Sequence, residues 1–95
     1  MADTDDRVRR RVRISGRVQG VGFRESCRRE AQALGVAGTV RNLGDGSVEA
    51  MLEGAPALVD RMIEWCRHGP RSAVVRHVDV AHEAPSGISG FTISF

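Results

Sequence analysis

Between Val8 and Leu34 the apolar residues change their spacing once, and the change falls on a segment holding three glycines. Val8, Val12 and Ile14 share one side of a two-residue period while Arg9, Arg11 and Arg13 share the other, the pattern of a half-buried strand. Phe23, Cys27, Ala31 and Leu34 then recur at helical spacing until Gly35 supplies a C-terminal stop. A strand over Val8 to Ile14 must therefore hand over to a helix through the glycine-rich stretch Ser15 to Gly22.

The rest of the chain narrows the choice. Thr39 to Leu43 and Ser47 to Glu53 flank Gly44-Asp45-Gly46 and read as a β-hairpin, with Val48, Ala50 and Leu52 alternating against Glu49, Met51 and Glu53. Pro56 suits a first helical position, and Leu58, Val59, Met62, Ile63, Trp65 and Cys66 form an apolar stripe that stops at Gly69-Pro70. Val74 to Ala81 is valine-rich, and Phe91, Ile93 and Phe95 alternate after a turn over Pro85 to Gly90. The order is βαββαβ with a short extra C-terminal strand. Polar residues opposite apolar ones in the strands put both helices on one face of an antiparallel sheet. The expected fold is α+β, a ferredoxin-like α/β sandwich. At 95 residues the chain has room for one core, expected over residues 7–95, behind a flexible tail of residues 1–6.

Charge and composition exclude some roles. No stretch reaches the roughly 20 apolar residues that span a bilayer, and Met1 to Asp6 is acidic rather than signal-like, so a cytoplasmic location and no membrane partner are expected. All 14 basic residues are arginine, and five of them crowd the first strand from Arg7 to Arg13, yet the net charge is only +2. The first strand reads as a solvated face, with Asp3, Asp5 and Asp6 upstream to offset it. Without tyrosine, and with Phe23, Trp65, Phe91 and Phe95 as its aromatics, the chain lacks the strand aromatics that stack RNA bases. Nucleic acid is not an expected partner. Cys27 and Cys66 are expected as free thiols, and with Trp65 they fit apolar helix stripes. His68, His77 and His82 show no metal-ligand spacing with either cysteine. His68, near the end of the second helix, is expected to complement the dipole there.

The chemistry concentrates in Ser15-Gly16-Arg17-Val18-Gln19-Gly20-Val21-Gly22-Phe23-Arg24. It is neither a Walker loop nor a full dinucleotide fingerprint. Glycines ahead of a helix let successive N–H groups converge on one point, and the helix dipole adds positive charge there, which describes an anion pocket. Arg24, in the first helical turn, is disfavoured by that dipole unless an anion accepts it, and a guanidinium can grip two phosphoryl oxygens at once. A solvated arginine beside a structural turn would read the same way. Asn42 ends a strand just before the hairpin, where an asparagine commonly caps the turn through its own side chain.

The run Gly16 to Arg24 closely resembles the first signature of the acylphosphatases. Val40-Arg41-Asn42, with Gly46-x-Val48 and Gly54, resembles the second, and Gly69-Pro70 and Phe91-Thr92-Ile93 are also in keeping. The resemblance implies a ferredoxin-like fold and hydrolysis of small acyl phosphates to a carboxylate and inorganic phosphate, without metal or cofactor. It implies Arg24 as the catalytic phosphate-binding arginine, with Gln19, Gly20, Val21, Gly22 and Phe23 as the rest of the phosphate-binding loop, and Asn42 as the catalytic residue that positions water. One position departs: Thr39 stands where the family usually has an aromatic residue. A monomer is expected. The alternatives are a non-catalytic module that senses an anion with the same loop, or one that binds RNA with the arginine-rich strand.

Such chemistry needs few groups. The leaving carboxylate has a conjugate acid with a pKa of roughly 4, so it departs without a proton. Phosphoryl transfer spreads charge over the equatorial oxygens, so positioning and electrostatic stabilisation supply most of the catalysis.

Overall fold

The computed structural model describes residues 6–95, so of the expected tail over residues 1–6 all but Asp6 lies outside the described residues. The elements are β1 (Val8–Arg17), α1 (Phe23–Leu34), β2 (Ala37–Asn42), β3 (Val48–Gly54), α2 (Pro56–Cys66), β4 (Val74–Glu83) and β5 (Phe91–Ile93). They form one five-stranded sheet in the order β4-β1-β3-β2-β5. β1 pairs antiparallel with β3 and β4, and β2 pairs antiparallel with β3.

β5 departs from the antiparallel pattern and runs parallel to β2, with Ile93 beside Val40. The reason is topological. β4 runs towards the end of the sheet where β2 begins, so the segment after Glu83 crosses that end and β5 starts alongside the start of β2. Glu53, at the end of β3, secures the crossing. Its carboxylate is fully buried, accepts from the N–H groups of Ser86 and Gly87 at 3.0 and 2.7 Å, and meets Arg9 Nη1 at 3.1 Å. Burial alone would raise its pKa, but these donors outweigh it and hold the carboxyl at about 2.

Both helices lie on one face. Val12, Ile14, Val40, Val48, Ala50 and Leu52 point from the sheet into a core completed by Phe23, Cys27 and Ala31 of α1 and Val59, Met62, Ile63 and Cys66 of α2. The two cysteines are free and fully buried, and a hydrogen bond with Cys66 together with burial pushes the Cys27 thiol well above its usual pKa. Phe23 meets Trp65 with ring centroids 5.3 Å apart. His68, beyond the last residue of α2, pairs at 3.2 Å with the exposed Glu64.

On the open face the arginine run finds carboxylates. Arg11 lies 3.3 Å from Glu83, Arg41 3.0 Å from Glu49, and Arg13 pairs with Asp45. Exposed pairs of this kind are each worth at most about 1 kcal/mol, but they turn a cationic stripe into an alternating surface. Thr39 pairs with Met51 and sits out of phase with the buried Val40, so the missing aromatic belongs to this open face rather than to the core.

β1 runs three residues past Ile14 because its register against β4 shifts between Ser15 and Gly16. Gly16 has φ 130, and a Cβ there would lie 2.2 Å from the carbonyl oxygen of Val74. Only glycine lets the two backbones approach so closely. The bulge delivers the following loop to the N-terminal end of α1.

Candidate active site

The loop from Val18 to Gly22 is anchored at both ends by the core, since Val18 and Phe23 are buried. Between them Gly20 and Gly22 take φ of 75 and 78, while a Cβ on either would meet nothing within 4 Å. Glycine is required there for conformation, not for space. Left-handed glycines on either side of Val21 are the kind of backbone that lets successive N–H groups converge, as in an anion-binding nest. Among the described residues no group accepts from the N–H of Gly20, Val21 or Gly22, and α1 begins without a side-chain cap. The orphan donors of the first helical turn add to them.

Asn42 reaches the same place by strand parity. It shares its side of β2 with Val40 and pairs with the buried Val48, so it lies on the helix face at the end where α1 starts. The hairpin does not use it. Asp45 accepts from the N–H and hydroxyl of Ser47 at 3.0 and 2.6 Å, and Leu43 and Ser47 close the turn through the backbone. The Ser47 hydroxyl and N–H lower the Asp45 carboxyl to about 2. Among the described residues the Asn42 amide has no hydrogen-bond partner, which removes the turn-capping alternative.

Arg24, Asn42, Gly20, Gly22 and Phe23 line one recess of about 170 Å³ together with Val18, Glu25, Ile93 and Phe95. Among the described residues no carboxylate pairs with Arg24; its guanidinium carbon sits 5.2 Å from the centroid of the Phe95 ring. Glu25, the one acid in the lining, is drawn to Arg28 one turn on, whose hydrogen bond lowers its pKa. The recess therefore offers a cation, orphan N–H groups and a free amide, with its nearest negative charge already matched.

Three expected residues behave differently from the rest. Val21 is not part of the recess lining and packs against the core. The side chain of Gln19 turns away from the recess and donates to the carbonyls of Leu43 and Ser47 at 2.8 and 2.9 Å, stitching the glycine loop to the hairpin that carries Asn42. Phe23 has its ring buried in the core, so its side chain is not free to contact a bound anion. Ile93 and Phe95 were not readable as lining residues from spacing, because their place depends on where β5 joins the sheet.

Fold and recess together define a ferredoxin-like α+β domain with a cationic, anion-sized site at one end of its sheet. The acylphosphatase family model matches residues 10–93. The chain is 55% identical over 86 residues to an acylphosphatase of Gloeobacter violaceus, covering 90% of this chain and 92% of that protein. It is 55% identical over 87 residues to an acylphosphatase of Thermococcus kodakarensis, covering 92% and 96%. A solved acylphosphatase structure from Coxiella burnetii superposes with a TM-score of 0.89 at 35% identity over 94% of each chain. The chain belongs to the acylphosphatase family. It is an enzyme, a hydrolase of acid anhydrides, and its chemistry is the hydrolysis of acyl phosphates.

Proposed function

We propose that Arg24 and the N–H groups of the Gln19 to Arg24 loop hold the phosphoryl group while Asn42 positions the attacking water in line with the breaking bond. The observation that carries this reading is that Arg24 and Asn42, from different elements, arrive at one recess with no hydrogen-bond or ion-pair partner among the described residues. Arg24 and the N–H groups match the three equatorial oxygens, where charge develops in the transition state. The side-chain carbonyl of Asn42 accepts from the water and holds it in line. The water's proton passes to a phosphate oxygen, the P–O bond to the acyl group breaks, and the carboxylate leaves with the bonding pair, needing no general acid.

Action as a monomer in the cytoplasm belongs to the same reading; among the described residues no helix is long and apolar enough to cross a membrane. The test is hydrolysis of benzoyl phosphate by the wild type, Arg24→Ala, Arg24→Lys and Asn42→Ala, with inorganic phosphate as competitive inhibitor. Asn42→Ala should keep phosphate inhibition and lose turnover by on the order of 10²-fold or more. Arg24→Ala should lose both, and Arg24→Lys should not restore them because a point charge replaces a bidentate fork. Wild-type turnover in Asn42→Ala, or in Arg24→Lys, would sink the assignment.

A further inference from the structure

Cations and carboxylates are unevenly spread along the chain. Residues 14–24 and 65–78 hold five arginines and no aspartate or glutamate, while the remainder holds nine arginines and all 12 acids. The fold brings these two segments together. A Cβ on Gly69 would lie 2.7 Å from Cε2 of Phe23, and one on Gly16 would lie 2.9 Å from the backbone nitrogen of Arg76 and 3.2 Å from its Cγ. The stretch from Gly69 to Arg76 therefore packs along the glycine-rich connection that ends at Arg24. Arg17 closes β1 beside Val74 of β4, one residue ahead of Val18 in the recess lining.

Of the five arginines, Arg24 stands in the recess and Arg67 faces Glu64 at 3.7 Å. Arg17, Arg71 and Arg76 are exposed, and among the described residues no carboxylate pairs with them. The acids of the adjoining elements do not cancel them. Asp45 of the hairpin pairs with Arg13, Glu25 of the first turn of α1 pairs with Arg28, and Asp79, the first acid along β4, meets His77 at 3.0 Å. Like charges gathered without partners repel, so this arrangement costs the fold and gains only when an anion is near.

We infer that Arg17, Arg71 and Arg76 form a cationic approach to the recess that draws in the doubly charged phosphoryl group of the substrate, raising kcat/KM through capture rather than through the chemical step. The inference rests on the recess being the phosphoryl site. The three residues touch no reacting atom, and a charge is all they need to supply. In water a unit charge about 10–15 Å from a dianion enriches it roughly 2- to 3-fold at 10 mM ionic strength, where the Debye length is about 30 Å, and hardly at all at about 0.5 M, where that length is a few Å. Three such charges together give about 10-fold.

The experiment measures kcat and KM for benzoyl phosphate at ionic strengths of about 0.01 and 0.5 M, set with sodium chloride, in the wild type and two triple variants. Arg17→Gln/Arg71→Gln/Arg76→Gln should raise KM about 10-fold at low salt with kcat within 2-fold of wild type, and its kcat/KM should come within 2-fold of wild type at high salt. Arg17→Lys/Arg71→Lys/Arg76→Lys, which keeps the charge without the fork, should match the wild type at both. Wild-type kcat/KM that does not fall as salt rises overturns the inference, as does a glutamine variant within 2-fold of wild type at low salt. So does a loss that persists at high salt, or a lysine variant as impaired as the glutamine one, since the arginines would then act by contact. Arg24→Ala separates the two claims: wild-type hydrolysis by that variant overturns the reading of the recess, whatever the salt dependence of the others.

Discussion

Gln19→Met deletes two hydrogen bonds while nearly keeping the length of the side chain. Gln19 is the stitch between the glycine loop and the hairpin, and neither carbonyl it serves is left bare by its loss: Leu43 O still accepts from Gly46 N–H and Ser47 O from Leu43 N–H. Each lost bond therefore costs its net value, about 0.5–1.5 kcal/mol, rather than a full desolvation penalty, giving about 2 kcal/mol for the pair. In a domain of this size that lowers Tm by roughly 8–16 °C. The kinetic effect is separate. With the stitch gone, the loop holding Arg24 and the strand end holding Asn42 drift relative to one another, and a misplacement near 1 Å costs on the order of 10²-fold in rate. Thermal denaturation and steady-state hydrolysis of benzoyl phosphate, with phosphate inhibition measured alongside, read the two effects. Turnover should fall at least 10-fold while the phosphate inhibition constant moves less than 3-fold, because the phosphate contacts all sit on the loop side. Unchanged turnover, or a phosphate constant that weakens in step with turnover, would refute the reasoning.

Two further outcomes are expected. The depressed Glu53 carboxyl contributes stability that is present above its ordinary pKa of 4.5 and is lost as pH falls towards its native value of about 2, so urea denaturation should show a steep loss across that window; Glu53→Gln should be less stable near neutrality and flatter below pH 4.5, and an equally steep loss in the variant would remove Glu53 as the cause. Gly22→Ala should cost about 1–2 kcal/mol, because alanine must be held at φ 78, and should weaken phosphate binding, whereas Gly35→Ala at φ 77 on the far end of α1 should cost the same stability without touching phosphate binding; equal phosphate affinity in both variants would count against the loop as an anion nest.

The parts of the fold legible in the sequence were those set by local periodicity. Both helices, the hairpin and the alternation of the strands follow from spacing, and the loop with Arg24 is read the same way because its cause lies within ten residues. What escaped is non-local. The extension of β1 to Arg17 depends on a bulge against β4, and the parallel placement of β5 depends on which end of the sheet β4 reaches. Asn42 was legible as a strand end and, by resemblance, as a site residue. That its amide is free follows only once Asp45 and Gln19 are seen doing the work of the turn. The same blindness hid Phe95, whose alternation with Ile93 is plain in the sequence while its meeting with Arg24 is a property of the closed sheet.

The ladders of the sheet join distant parts of the chain: Arg9 pairs with Glu83, Val8 with Gly54 and Gly38 with Phe91, and the β2–β3 hairpin alone is local. A topology of this kind must close long loops before its contacts repay them, which places folding in the slower, millisecond-to-second range. Arg24, Asn42 and Phe95 belong to three segments that meet only when β1, β3, β2 and β5 are all in register. Recovery of hydrolysis after dilution from denaturant should therefore lag behind collapse and helix formation, so that turnover marks the arrival of the complete native sheet and nothing earlier.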